Sequence, residues 1–478
     1  MFRNSLYTDL YQLTMGQAFF NEGSHNRPAS YSMFFRKLPF RGGFAIFCGS
    51  DTLLEMLRDY SFSDDDIEYL KEQRDVNNKQ LFSDDYLKFL KNLRLELDVY
   101  APSEGNLVFP YEPSLRVSGP ILQCQLVETL LLNCINFQTL AATKAARIKL
   151  AAKNKVISEF GLRRAQGTGS MWAAKASYIG GFDSTSNVLA GREYGIPISG
   201  THAHSWIMAH DSELEAFRKY VEVFPGNATL LIDTYSVEQG LDNAIIVAQE
   251  MEKRGERLFA VRIDSGDLTW QSRLAREELD KCGLDYVKIV LSNDLDEYKI
   301  SSILEEGAQV DAFGVGTKFV CCEGQPNLGG VYKLNAYQDS QGNWIDAMKL
   351  SEQPEKTTIP GILNVLRYTD ENGYLAGDMI FDEREKDLSE IIVDPLSTFK
   401  QKRLVGENPS ILLHPIMKSG KRLKSWSIDD SRQNAVRALS QIDYTHKRNI
   451  YPHLYPVGIE EGLYLKREQM ILEARCSK

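Results

Sequence analysis

The sequence predicts an α/β protein, an irregular βα barrel of TIM-like form with a second α+β domain built from the N- and C-terminal regions. Three observations carry this. Between positions 228 and 317, continuous apolar strands alternate with amphipathic helices, the pattern of a parallel sheet covered on its outer side. The units recur at about 30 residues, the usual span of one βα unit. Each strand closes on polar, often acidic, residues. In a closed βα barrel such ends converge on the face that carries active sites.

Taken in order, Asp9 is a plausible N-cap for a helix carrying Leu10, Leu13 and Phe19. Tyr11 on this helix suits either the core or a dimer interface, where tyrosine is favoured. Residues 31–40 alternate as a strand, and 51–57, 64–73 and 84–92 read as helices entered through Ser or Asp caps. Residues 95–117 are strand-rich, with Pro102, Gly105, Pro110 and Pro113 as turn markers. A long helix over 123–152 is apolar on nearly all sides and is expected to be buried. The run 207–223 also reads as helical.

The regular part follows. Strand 228–232 closes on Asp233-Thr234-Tyr235 before a helix over 241–253. Strand 258–263 closes on Asp264-Ser265-Gly266-Asp267 before a helix over 272–281. Strand 287–291 closes on Ser292-Asn293-Asp294 before a helix over 297–306, and 312–317 completes the series. Any one of Asp233, Asp264 and Asp294 could merely cap its helix. Three in consecutive units favour convergence at one site. Beyond Lys349 the rhythm stops, and strands with turns precede one helix over 429–441. The expected domains are 1–137 (N-terminal, α+β), 138–345 (the barrel) and 346–478 (strand-rich, packing on the N-terminal domain).

Bulk properties narrow the function. A net charge of −10 argues against nucleic acid as a partner. The seven cysteines show no CxxC spacing, so neither a zinc site nor a disulfide framework is suggested. No secretory apolar segment opens the chain, and no apolar run reaches the roughly 18 residues that span a membrane. A cytoplasmic protein without a membrane partner is expected.

Two of only seven histidines, His202 and His204, lie two residues apart at a strand end. They suit zinc, but after His210 the next histidine is His414, so later strands supply no further ligands. The other reading makes a neutral histidine a nucleophile or base. Gly314 to Thr317 suits a phosphate, and nearby aspartates suit Mg²⁺. Arg163 and Arg164, between Phe160-Gly161 and Gln166-Gly167, read equally as an anion-binding loop or a solvated pair. Phosphate, magnesium and a histidine together point to phosphoryl or phosphoribosyl chemistry.

These residues fall into a recognisable series: the nine-residue run from Tyr7 to Met15, Phe160-Gly161-Leu162-Arg163-Arg164-Ala165-Gln166-Gly167, Gly181-Phe182-Asp183 with Thr185-Ser186-Asn187, Gly200-Thr201 with Ala203-His204-Ser205-Trp206, Asp233-Thr234-Tyr235, Arg262-Ile263-Asp264-Ser265-Gly266-Asp267, Ser292-Asn293-Asp294, Phe313-Gly314-Val315-Gly316-Thr317 and Lys349-Leu350-Ser351. In this order they resemble the nicotinate phosphoribosyltransferases. The resemblance implies conversion of nicotinate and phosphoribosyl pyrophosphate to nicotinate mononucleotide and pyrophosphate, coupled to ATP hydrolysis, in NAD salvage. It implies that His204 is the phosphorylated residue, while His202 lies where the family varies. It implies catalytic roles for Asp233 and Asp264, which would hold Mg²⁺ or the ribose. Asp294, Gly314, Gly316 and Thr317 would take the ribose and 5′-phosphate. Gly200, Thr201 and Arg163 would lie near pyrophosphate and base. Phe160, Tyr11 from a partner subunit, Arg262, Thr185 and Ser186 would surround the pyridine ring, in a homodimer with shared active sites. Quinolinate phosphoribosyltransferase is the nearer rival, but that family is shorter and needs no phosphorylated histidine.

Overall fold

The computed structural model describes residues 5–397, 399–404 and 409–476. The chain divides into two compact units, one of residues 141–326 and one of residues 1–140 together with 327–478.

In the first, six strands form one sheet in the order Ser184–Thr185, Val156–Glu159, Ala312–Val315, Lys288–Leu291, Ala260–Ile263, Thr229–Leu231. Every neighbouring pair is parallel. Ile157, Leu230, Val261, Ile263, Ile289, Leu291, Phe313 and Val315 are almost fully buried, as strands covered by helices require. The sheet is parallel, as the apolar runs predict. Its ladder ends at Ser184–Thr185 and at Thr229–Leu231, so the backbone pairing does not itself close a barrel. Two contacts extend the edges. Thr185 forms a parallel bridge with Ile198. At the far edge Leu231 donates its N–H to His202 Nε2 at 3.2 Å.

The helices Val237–Lys253, Leu268–Lys281 and Glu297–Glu305 follow their strands. Ser236, Asp267 and Asp296 cap them, accepting N–H groups of Gln239, of Trp270, and of Tyr298 and Lys299. Capping is therefore done by residues two or three positions after Asp233, Asp264 and Asp294. Glu297, wholly buried, is fixed by Lys144 at 2.7 Å and Arg147 at 2.9 Å from the helix Glu128–Ala152. Removing one member of such a buried cluster costs about 3–5 kcal/mol, because a charge is left uncompensated.

Two long helices of the sequence reading are broken. The 123–152 helix is Ile121–Leu126 followed by Glu128–Ala152, with a turn at Val127 (φ −87°, ψ 0°). The 207–223 run is His204–Met208 followed by Glu213–Val223. Here Ser212 accepts the Glu215 N–H. Ser212 followed three residues later by Glu215 is a helix-start signature that marks the second helix.

In the other unit a seven-stranded sheet runs in the order Trp344–Asp346, Val331–Gln338, Pro28–Phe34, Leu115–Pro120, Asp98–Ala101, His414–Lys418, Lys421–Arg422. It interleaves strands from the two ends of the chain: His414 pairs with Ala101, and Tyr31 with both Val117 and Leu334. Val331–Gln338, which the sequence reading placed at the end of the barrel segment, belongs to this sheet. A second six-stranded sheet is wholly C-terminal, and the helix Glu461–Cys476 follows its strand Val457–Glu460. Among the described residues no helix is long and apolar enough to cross a membrane.

Candidate active site

The C-terminal ends of the parallel strands carry a connected polar cluster. Arg262, on Ala260–Ile263, is its centre. Its Nε donates to Ser292 Oγ at 2.9 Å, Nη1 to Thr201 Oγ1 at 2.8 Å and Nη2 to Asp264 Oδ1 at 2.9 Å. Its Cζ lies 5.4 Å from the centroid of the Phe160 ring, a cation–π contact. Three of the five guanidinium N–H groups are thus engaged, and one on each terminal nitrogen remains. Ser292 Oγ also donates to Asp264 Oδ1.

Asp233 and Asp264 meet, as their places at successive strand ends predict. Asp233 Oδ2 accepts the Asp264 N–H at 3.1 Å and the Ser265 hydroxyl at 2.6 Å. Asp233 Oδ1 is buried and has no hydrogen-bond partner among the described residues. Buried carboxylate oxygens are normally satisfied, so this oxygen could accept from a donor or bind a cation. Among the described residues no cluster of three or more His, Cys, Asp or Glu side chains is placed to hold a metal ion. The arrangement offers one open oxygen rather than a protein cage.

Asp294 is exposed and follows Asn293, and both have positive φ (43° and 103°). Ser292, two residues earlier, is the one from this strand end that reaches Asp264.

The two histidines have different environments. His204 is half-buried at the start of His204–Met208, with Nδ1 3.1 Å from Thr234 Oγ1. If Nδ1–H is the donor, the Nε2 lone pair is left for chemistry. His202 is buried, its ring edge-on to Tyr220 with centroids 4.8 Å apart. Because Nε2 accepts the Leu231 N–H, the proton sits on Nδ1, 3.4 Å from the Ala203 carbonyl. Burial holds its pKa down to about 4. The imidazole is therefore neutral and ties the segment after Ile198 to the edge strand. Both ring nitrogens of His202 face backbone groups, Nε2 the Leu231 N–H and Nδ1 the Ala203 carbonyl.

Phe160 follows directly on Val156–Glu159. A Cβ at Gly314 would come within 2.5 Å of the Phe160 ring, and one at Gly316 within 3.0 Å of the Phe160 carbonyl oxygen. These glycines let the aromatic residue lie across the neighbouring strand end. Thr317 opens the short helix Thr317–Val320. Arg163 is exposed in the turn Leu162–Arg164, and Gly200 has open space around it. Ser186 is half-buried, its N–H donated to the Glu159 carbonyl at 2.8 Å. Thr185 is fully buried, and its hydroxyl donates to Glu159 Oε2 at 2.6 Å. Tyr11 lies in the other unit, on Leu10–Asn21, and is 46 % exposed. The sequence reading did not single out Glu159, Thr234 or Ser265, which make contacts to Thr185, His204 and Asp233. The strand-end position of each was the available signal.

Three family models match the chain in order. They are the nicotinate phosphoribosyltransferase N-terminal domain over residues 6–136, the nicotinate phosphoribosyltransferase family over 156–372 and the nicotinate phosphoribosyltransferase C-terminal domain over 363–467. Nicotinate phosphoribosyltransferase of Bacillus subtilis (strain 168) is 39% identical over 480 residues, covering 98% of this chain and 96% of that protein. The crystal structure of human nicotinic acid phosphoribosyltransferase superposes with a TM-score of 0.83 at 31% identity, over 97% of this chain and 99% of the human one. Nicotinate-nucleotide pyrophosphorylase from Pyrococcus furiosus shares the fold, with a TM-score of 0.70 at 23% identity over 92% of this chain and 96% of that one. With matching models along its length and this identity over nearly all of it, the chain belongs to the nicotinate phosphoribosyltransferase family.

Proposed function

We propose that the protein is a nicotinate phosphoribosyltransferase acting in NAD salvage, and that the Arg262–Phe160 pair receives the pyridine ring. The observation that carries this is the fixed guanidinium over an aromatic face, with two N–H groups left to donate. A flat aromatic anion stacks on such a ring and places its carboxylate at such a fork. The pyridine nitrogen attacks C1 of phosphoribosyl pyrophosphate, the C–N bond forms, and the C1–O bond breaks as pyrophosphate leaves. The transition state develops positive charge on the ribosyl carbon, which the Asp233 and Asp264 carboxylates oppose. Asp294, Gly314, Gly316 and Thr317 receive the ribose and 5′-phosphate. Gly200, Thr201 and Arg163 lie toward the pyrophosphate. The parallel sheet is read as an irregular barrel, with the 198–202 segment closing the gap between its edge strands.

Magnesium fits this site. The unpartnered Asp233 Oδ1 is the oxygen that would bind it, with Asp264 adjacent. Mg²⁺ usually takes one or two carboxylates and completes its shell with substrate phosphates and water. When bound it neutralises charge on the pyrophosphate leaving group.

ATP is the co-substrate. His204 Nε2 attacks the γ-phosphorus, the bond to the ADP oxygen breaks, and water later releases phosphate from the imidazole. The added charge beside the pyrophosphate site couples ATP hydrolysis to transfer, which makes the enzyme ligase-like. A homodimer contributes Tyr11 from the partner to each ring pocket, and the location is cytoplasmic.

The test is direct. Purified protein with nicotinate and phosphoribosyl pyrophosphate should form nicotinate mononucleotide, and γ-labelled ATP should label the protein with acid-labile phosphate. In His204→Asn both the label and the ATP stimulation should vanish while transfer without ATP persists. Retention of full ATP stimulation would overturn the role of His204. Absence of product from the wild type would overturn the activity.

A further inference from the structure

Glu159 is 1% exposed and ends the strand Val156–Glu159. Its carboxylate serves two loops at once. Oε1 accepts the Gly161 N–H, and Oε2 accepts the Thr185 hydroxyl at 2.6 Å. Its carbonyl also receives the Ser186 N–H at 2.8 Å. The Thr185 hydroxyl in turn accepts the Asn187 N–H at 3.0 Å, the Thr185 N–H goes to Pro197, and its carbonyl takes the Ser199 N–H. Thr185 is fully buried and both its N–H and its O–H are engaged, so it has no donor left for a ligand. Burial pushes the Glu159 carboxyl up, and the bonds from Thr185 and Gly161 oppose this. Both donors favour the ionised form.

We propose that Glu159 is a positioning residue that ties the Phe160–Arg164 turn to the Thr185–Asn187 turn. The ring-stacking wall of the pocket and the wall carrying Ser186 are then held as one body. Thr185 acts through Glu159 rather than on the substrate. The inference rests on reading the pocket as the nicotinate site, but the link between the turns is a property of the free protein. Glutamine at 159 keeps the shape, yet its amide offers one acceptor and turns an N–H₂ toward the other donor.

The experiment uses the full chain with Glu159→Gln, Thr185→Val, the double variant and the conservative Thr185→Ser. Each is measured by hydrogen exchange without substrate and by steady-state kinetics. In Glu159→Gln and in Thr185→Val, residues 160–167 and 184–190 should lose protection together. The nicotinate KM should rise about tenfold in each, with a much smaller change in the phosphoribosyl pyrophosphate KM, as expected from one lost buried hydrogen bond. Thr185→Ser should behave as wild type, and the double variant should be no worse than the worse single one. Loss of protection in one turn only, equal rises in both KM values, or additive effects in the double variant would overturn the proposal. A wild type that does not turn over nicotinate would instead overturn the reading of the activity, and hydrogen exchange would still decide the link.

Discussion

Arg262 organises the site because every group around it restricts it. Ser292, Thr201 and Asp264 fix the guanidinium plane, and Phe160 lies against it. A cation held in this way is pre-organised, so little side-chain entropy would be lost on binding the proposed carboxylate. Ser186 sits on the adjoining turn, its N–H bonded to the Glu159 carbonyl, and in the proposed pocket it would take part in the choice between acid and amide. A carboxylate there, about 4 Å from that of nicotinate, would cost roughly 4 kcal/mol at an effective dielectric of 20. Ser186→Asp should therefore lower kcat/KM for nicotinate by up to about a thousandfold relative to nicotinamide. Competition assays with both substrates check this, and an unchanged ratio would remove Ser186 from substrate choice. The meeting of Asp233 and Asp264 was legible, that expected of Asp294 did not occur, and the reason differs from the one available in the sequence. Their count suggested convergence. The structure adds that Ser236, Asp267 and Asp296 do the capping, which leaves Asp233 and Asp264 for the cluster.

At the scale of elements, His202 links the edge of the parallel sheet to the segment leading into His204. Its imidazole must stay neutral to accept the Leu231 N–H. The folded-state pKa of about 4 lies below the ordinary value near 6.5. The unfolded chain therefore binds the proton more readily, and stability rises with pH between these values. The contribution is complete above about pH 6.5 and is lost as pH falls toward 4, with a ceiling of about 3 kcal/mol. His202→Gln should flatten the fall of Tm across this window, since an amide oxygen can accept the N–H without titrating. Thermal melts of both proteins from pH 4 to 8 measure it, and parallel curves would exclude His202 as the titrating group. Helix boundaries were less legible than strands. The apolar run continues through Val127, and residues 209–212 hold neither Gly nor Pro to mark the break between the two helices.

For the whole molecule, the two units differ in how they were encoded. Residues 141–326 form a sheet whose strands follow one another with helices between, so local pattern predicts it. The other unit brings residues 28–34 beside both 115–120 and 331–338, and 98–101 beside 414–418. No periodicity encodes such pairings. The proposed dimer belongs to this scale too. If Tyr11 completes a partner's pocket, Tyr11→Ala and Asp233→Asn should each be nearly inactive alone. After denaturation and co-refolding of an equimolar mixture, about a quarter of wild-type activity should return, because half the dimers are mixed and each holds one intact site. No recovery, with mixed dimers detected by mass, would place Tyr11 in its own subunit's site.

The sequence by itself determined the parallel βα unit, the positions of Asp233, Asp264 and Arg262 at or beside strand ends, and the family to which the chain belongs; His204, expected at a strand end, instead opens the helix His204–Met208. These rest on local patterns of apolar and polar residues and on short motifs, which are properties of neighbours along the chain. Only the tertiary structure decided which strand ends touch. It gave His202 its structural place, brought Ser292 rather than Asp294 to Asp264, and buried Glu159 between two turns. Those outcomes depend on the register between segments 26 to 29 residues apart. That register is fixed by side-chain packing over the whole sheet, which no window of sequence contains.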